Sequence, residues 1–389
     1  LDIMIYFLLY YAVVYMGNAV YGTFIPVYFS SVGASPAEIG ALLSFGPLVA
    51  ILAQPVWGAI GDRARSKNAV LFALLAGSGI SVLFFPVSNA FLYLLLIICV
   101  FTFFQTSIFA ISDTITLEQL ETQKKWSFGP IRMGGTIGFA LMSMVFGFIA
   151  RQHIRMIFVV YALIMLASIL LLTRFPKVSG HQSGGSKVKI WVLLKHRRLM
   201  IYLALNFFLQ VTLGYYYTFF PVYFRSLGGD NSLLGWAMVI SSLSEVPFLL
   251  FSARIFRRFS ISVILLVAGI ATALRWLLFY LFTDPFQVVA TQVLHGLMFI
   301  VLTVTLATYI NKEVPKELKA SGQTLNGLLN LGAARIIGSF FGGLAVEWIG
   351  MRSVFLYCAI IALVCVAVFS WLGLREERIK PAVNPSVHL

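Results

Sequence analysis

The chain has 389 residues, 60% hydrophobic and only 11% charged, with a mean hydropathy of +0.93. Soluble domains carry roughly 25% charged residues, so these charges cannot cover a water-facing surface, and a soluble globular protein is excluded. The net charge of +14 would suit a polyanion, but its distribution, given below, excludes a nucleic-acid partner.

Long apolar runs at Leu71–Pro86, Phe91–Ile111, Ile157–Leu172, Ile261–Phe282 and Phe355–Leu372 approach or reach the ~20 residues that cross ~30 Å of hydrocarbon. Twelve spans are expected, over residues 3–29, 37–61, 69–87, 91–117, 132–150, 155–173, 199–224, 233–256, 261–282, 286–310, 325–349 and 352–374. The fold class is an all-α membrane protein. The first span lacks a basic flank and runs long, so it reads as a span rather than a removable leader. Cys99, Cys358 and Cys365 fall inside spans without metal-ligand spacing and read as apolar thiols. No metal and no cofactor is expected.

In chain order, the first span carries TFIPVYFSSVG (residues 23–33), and the seventh carries TFFPVYFRSLG (218–228). Eight of eleven residues are identical, 195 positions apart. The same offset aligns Gly40 with Gly235. Two six-helix halves of the same orientation are parallel repeats, the arrangement of a large class of secondary transporters. The expected organisation is an N-terminal bundle over 1–173, a linker over 174–198, a C-terminal bundle over 199–374 and a tail over 375–389. The linker contains RFPKVSGHQSGGSKVK, a Gly/Ser/Lys-rich tether without apolar periodicity.

Alternate connections collect the cations. One side holds Arg63, Arg65, Lys67, Lys124, Lys125, Arg132, the 174–198 segment, Arg257, Arg258, Lys312, Lys316, Lys319, Arg375, Arg378 and Lys380; the other holds only Arg151, Arg155, Arg225 and Arg352. The positive-inside rule then makes both termini and the linker cytoplasmic in a multi-pass plasma (inner) membrane protein.

The loop after the second span, GAIGDRARSK (58–67), resembles the signature loop of the major facilitator superfamily. That resemblance implies a conformational latch made by Gly58, Gly61, Asp62 and Arg63; an ordinary positive-inside loop is the bland alternative. The second half has Arg257 where Asp62 stands, so a matching latch there is degenerate. Within the superfamily the chain looks most like the lactose permease and phenylpropionate permease-like branches. FGPIRMGGTIGFAL (128–141) resembles the opening of the fifth helix of lactose permease. It implies Arg132 as a sugar-binding cation, Phe139 in place of the stacking aromatic, and Asp113, or less favourably Glu118, as the acidic partner. LSEVPF, ALRWLL and VLHGLMF supply Glu245, Arg275 and His295, which resemble the branch's coupling residues on helices 8, 9 and 10. Two departures stand out: Met298 replaces an acid one turn after His295, and GYYYTFF replaces paired acids in the seventh span.

The residues lead to the same place without the family. An ionisable group at a helix centre costs about 2.5–3.5 kcal/mol or more, so it faces a cavity or a partner. Counted from the outer helix ends, Glu245 lies about 18 Å deep, His295 about 14 Å and Arg275 about 10 Å, within mutual reach if the three helices adjoin. Glu245 reads as a proton carrier, or else as half of a static ion pair with Arg275. His295 reads as a relay or a hydrogen-bonded core residue. Arg335 reads as an anchor for an anionic substrate, a partner of Asp113, or a snorkelling cation. Asn18, Asn326 and Asn330 either line a cavity or join helices, and Tyr216, within Tyr215–Tyr217, offers a ring and a hydroxyl. The glycines of spans 5 and 11 read as close packing.

The expected function is proton-coupled symport of a small polar organic solute, a sugar or oligosaccharide, by a monomer. Import of aromatic or other organic acids is the alternative. A drug/proton antiporter and a non-transporting receptor rank below these. An enzyme is disfavoured, since neither HExxH, GxSxG nor a nucleotide loop occurs.

Overall fold

The computed structural model describes residues 3–121, 126–178, 193, 195–315 and 318–379. Most of the expected linker, Lys124, Lys125, Lys316 and the tail beyond 379 lie outside the described residues. Among the described residues, eleven helices are long and apolar enough to cross a membrane: α1 (Ile3–Ser31), α2 (Pro36–Arg63), α3 (Lys67–Val87), α4 (Phe91–Glu121), α5 (Phe128–Ala150), α7 (Arg197–Ser226), α8 (Asn231–Arg258), α9 (Ile261–Leu281), α10 (Pro285–Glu313), α11 (Ser321–Ile349) and α12 (Met351–Leu372). The shorter apolar helix α6 (Met156–Leu172) completes the expected twelve. The last helix continues to Ile379, into the expected tail.

Local chemistry sets the ends. Ser35 caps α2 reciprocally with Glu38, with Pro36 in the first turn, and Asp230 caps α8 by accepting from the Leu233 amide. The repeated segment ends α1 and α7 alike. Gly33 (φ 91°) and Gly228 (φ 90°) take the left-handed conformation that stops each helix where a side chain would strain it.

The two halves pack by one plan. In the first, α1 lies against α5 and α6, α3 against α4 and α6, and α2 against α4; in the second, α7 lies against α11 and α12, α9 against α10 and α12, and α8 against α10. Between halves, α2 packs on α11, α5 on α8 and α1 on α7. Glycines permit the closest approaches. A Cβ on Gly40 would collide with the Ser339 carbonyl and lie 3.0 Å from Gly343 Cα, and one on Gly235 would collide with the Ser143 carbonyl and lie 3.3 Å from Gly147 Cα. These two matched clasps lie at the end of the bundle where α1 and α7 finish and α2 and α8 begin, opposite Ile3 and Arg197.

Three second-half spans are not regular throughout. The helix of α8 breaks between Ser244 and Val246, with Glu245 at the break and Pro247 just after it. In α10, Thr291–Leu297 is a 3-10 segment, and in α11, Gly327–Ala333 is a π segment. Irregular backbone survives at membrane depth only where protein or a cavity satisfies it.

Candidate functional site

The break in α8 and the 3-10 segment of α10 are fastened together. The Gly296 amide donates to Ser244 Oγ at 2.8 Å, and a Cβ on Gly296 would overlap the Ser244 carbonyl. The adjacent residues, Glu245 and His295, are thereby brought side by side: His295 Nε2 lies 3.5 Å from Glu245 Oε1.

Arg275 of α9, fully buried, approaches from behind. Its Nη1 donates to His295 Nδ1 at 2.8 Å and its Nη2 to Gln292 Oε1 at 2.5 Å. A guanidinium has no acceptor, so Nδ1 accepts and the imidazole proton sits on Nε2, toward Glu245. Tyr216 OH also donates to Gln292 Oε1, at 3.1 Å. The Arg275 charge is further offset by rings, 4.4 Å from the Tyr216 centroid, 5.2 Å from Phe279 and 5.4 Å from Trp276. The expected Arg275–Glu245 ion pair is absent among the described residues, because His295 stands between them. Glu245 keeps 19% of its side chain accessible against 4% for His295, so the carboxylate is the more accessible member of the pair.

The network extends to the interface between halves through Tyr217. Its hydroxyl lies 3.1 Å from His295 Nε2, and its ring lies under the Arg335 guanidinium of α11 at 4.1 Å. Phe299 lies 5.7 Å from the same cation. Arg335, Tyr217, Thr218 and Ser339 face Tyr21, Ile25 and Leu43 across a cavity of about 180 Å³. Thr218 and Ser339 bond each other at 2.7 Å. Arg335 Nε is buried without a hydrogen-bond partner, and no carboxylate among the described residues forms an ion pair with it.

In the first half, Asp113 accepts a 2.5 Å hydrogen bond from Tyr11, and Arg132 lies 4.3 Å from the Tyr15 centroid and 6.0 Å from Tyr11. Asp113 thus meets neither Arg132 nor Arg335 in an ion pair among the described residues; Tyr11 and Tyr15 intervene. Tyr15 lies within electrostatic reach of Arg132, Asp113 and Glu245, so the two half-sites share one region.

Other expected residues are distributed as follows. Glu118 pairs with the buried Lys67, not with Arg132. Asn330 is buried and donates to Asn326 at 2.6 Å, joining turns of one helix rather than facing the cavity. Phe139 and Asn18 are half-buried on α5 and α1. Tyr216 sits beneath Arg275 instead of lining the cavity; successive helical residues turn by about 100°, and that turn gives the cavity to Tyr217. Asp62 and Arg63 are exposed and without partners among the described residues. Gly61 packs against Ile111, whereas Gly58 meets nothing within 4 Å, so close packing at Gly58 is not found. Gln292 escaped the sequence reading, although it stands three residues before His295, the spacing that shares a face in a 3-10 turn.

The sequence model of the MFS_1 like family matches residues 1–357. Maltose permease of Geobacillus stearothermophilus is 26% identical over 346 residues, covering 88% of this chain and 87% of that protein. A probable 3-phenylpropionic acid transporter of Escherichia coli is 24% identical over 354 residues, covering 88% and 92%. The crystal structure of the nucleoside transporter NupG superposes with a TM-score of 0.86 at 20% identity, covering 96% of this chain and 99% of that one.

Proposed function

The chain belongs to the MFS_1 like family of membrane transporters, and from that premise we propose that it is a proton-coupled symporter of a small polar organic solute. The observation that carries the reading is Tyr217, which touches His295 with its hydroxyl and Arg335 with its ring face. One side chain therefore links a carboxylate–imidazole pair to the cavity between the halves. Glu245 takes the proton. When it does, it no longer accepts from His295 Nε2–H as a carboxylate, and that proton is left to Tyr217; the change passes to the ring beneath Arg335. Binding in the cavity and proton occupancy at Glu245 are thus coupled through two side chains.

The basic loops support a topology with both termini cytoplasmic. The glycine clasps then close the outer side, and the cavity belongs to an inward-facing state. Asp62 and Arg63, with Gly58 and Gly61, act as a latch that engages in the opposite state. One chain, holding both halves, is the transporting unit.

A sugar is the expectation carried by Asp113, Arg132 and Phe139 and by the relative named a maltose permease. Organic acids are the second reading, favoured by Arg335: cavity hydroxyls are few, and Thr218, Ser339 and Tyr217 already hold partners. The test is external pH in energy-depleted cells expressing the protein, as neutral sugars or aryl acids are added. Alkalinisation that is lost in Glu245→Gln supports symport. Labelled-solute uptake with no pH response removes Glu245 from the proton path.

A further inference from the structure

Around the two half-sites the described charged side chains comprise three guanidinium groups, Arg132, Arg275 and Arg335, and two carboxylates, Asp113 and Glu245. Two of the cations are accounted for. Arg275 donates to His295 and Gln292, and Arg132 lies by Tyr15 beside the Tyr11–Asp113 pair. Arg335 differs. It borders the cavity, its charge meets the Tyr217 side chain and the Phe299 ring, and its Nε, like that of Arg275, is a buried donor with no acceptor.

A buried guanidinium with an unmet donor is unfavourable until an acceptor arrives. A carboxylate satisfies it best, because the planar fork of Arg matches two oxygens at once. The rest of the lining suits a short apolar or aromatic body: Tyr21, Ile25, Pro26, Leu43, Pro47 and the Tyr217 ring. At about 180 Å³ the cavity falls below the roughly 300–1,000 Å³ of drug-sized ligand pockets, so the body must be small.

We propose that Arg335 is the carboxylate anchor of a small organic monoacid, held with its apolar part among Tyr21, Ile25 and Leu43. This inference rests on the symport reading and names its substrate class. The charges of the bound anion and of the proton on Glu245 cancel, so the loaded carrier differs from the empty one by no net charge.

The experiment uses the purified full-length chain. Binding of benzoate, 3-phenylpropionate and hexanoate is followed by intrinsic Tyr/Trp fluorescence, beside the matching amides and maltose. Solute exchange, which needs no net proton movement, is measured in proteoliposomes. At least one acid is expected to bind and exchange while its amide does not. Arg335→Gln should weaken acid binding roughly ten-fold or more, and Arg335→Lys should recover part of it by restoring the charge without the fork. The thermal unfolding midpoint of each variant separates lost binding from lost folding. Binding of maltose or an amide in preference to every acid would overturn the anchor, as would acid binding unchanged in folded Arg335→Gln; solute exchange in those cases leaves the transport reading standing. Net acid uptake that needs Arg335 but is never accompanied by protons upholds the anchor and defeats the symport reading instead.

Discussion

Arg275 donates to Nδ1 of His295 at 2.8 Å, and this one hydrogen bond fixes which face of the imidazole meets Glu245. Because the guanidinium can only donate, the ring presents Nε2–H toward the carboxylate and toward Tyr217 OH. A side chain that accepts on one side and donates on the other can stand in for it. His295→Gln is therefore expected to keep the folded protein within about 1 kcal/mol of wild type, whereas His295→Leu leaves an Arg275 donor unmet and costs about 1–3 kcal/mol. Thermal unfolding of the purified variants in detergent measures the difference. Equal stability for both would mean that the Arg275–His295 bond contributes little.

Glu245→Gln preserves the shape of the side chain and removes its proton chemistry. Uphill accumulation driven by a proton gradient is expected to vanish, while solute exchange across proteoliposomes persists. If both fall together in a folded variant, the carboxylate serves binding or architecture rather than coupling.

Tyr217→Phe retains the ring under Arg335 and deletes the hydroxyl that reaches His295. Solute affinity should change by less than about tenfold, the ceiling for one neutral hydrogen bond, while the ratio of protons to solute moved should drop. An unchanged ratio would remove Tyr217 from the path between proton and cavity.

The glycine clasps predict a conformational bias. Gly235→Leu places a branched side chain where Ser143 and Gly147 of α5 approach, and no rotamer relieves contact with backbone. The variant should fold and bind solute but transport little, with the end opposite the termini held open. A cysteine introduced as Thr218→Cys should then react faster with a membrane-impermeant thiol reagent added from that side than it does in the otherwise wild-type chain. Unaltered labelling would show that the clasp closes over the larger side chain.

Lys67 is buried at 4% exposure and paired with Glu118. Its amide also donates to the Val178 carbonyl at 2.8 Å, while Asn68 bonds Pro176 and Val178. These contacts tie the start of α3 to the chain leaving α6. Breaking a buried ion pair by removing one partner costs about 3–5 kcal/mol; Glu118 retains some exposure, so Lys67→Met should cost less than this. Lys67→Met combined with Glu118→Leu should restore much of the loss, as read by denaturation midpoints of the single and double variants. No recovery in the double variant would place the value of Lys67 in its packing.

From the residues alone came the solvent the protein lives in and the plan of its chain. Sparse charge and twelve apolar runs permit only a helical bundle in lipid, because every backbone amide must be satisfied within its own segment there. The repeated Pro-bearing segment, ended each time by Gly33 or Gly228, was enough to find the two halves. The ionisable side chains that the fold gathers, Glu245, Arg275 and His295, were legible too, since an ionisable side chain in an apolar run stands out by its cost alone. The partners were not. Arg275 meets His295 and Gln292 rather than Glu245, Asp113 takes Tyr11 rather than a cation, and Tyr217, not Tyr216, reaches the cavity. Such pairings depend on the rotation of each helix about its axis, on the break at Glu245 and on the close Ser244–Gly296 approach. Rotations of about 100° per residue and offsets of a few ångströms are set by how neighbouring helices pack, and only the tertiary structure carries that information.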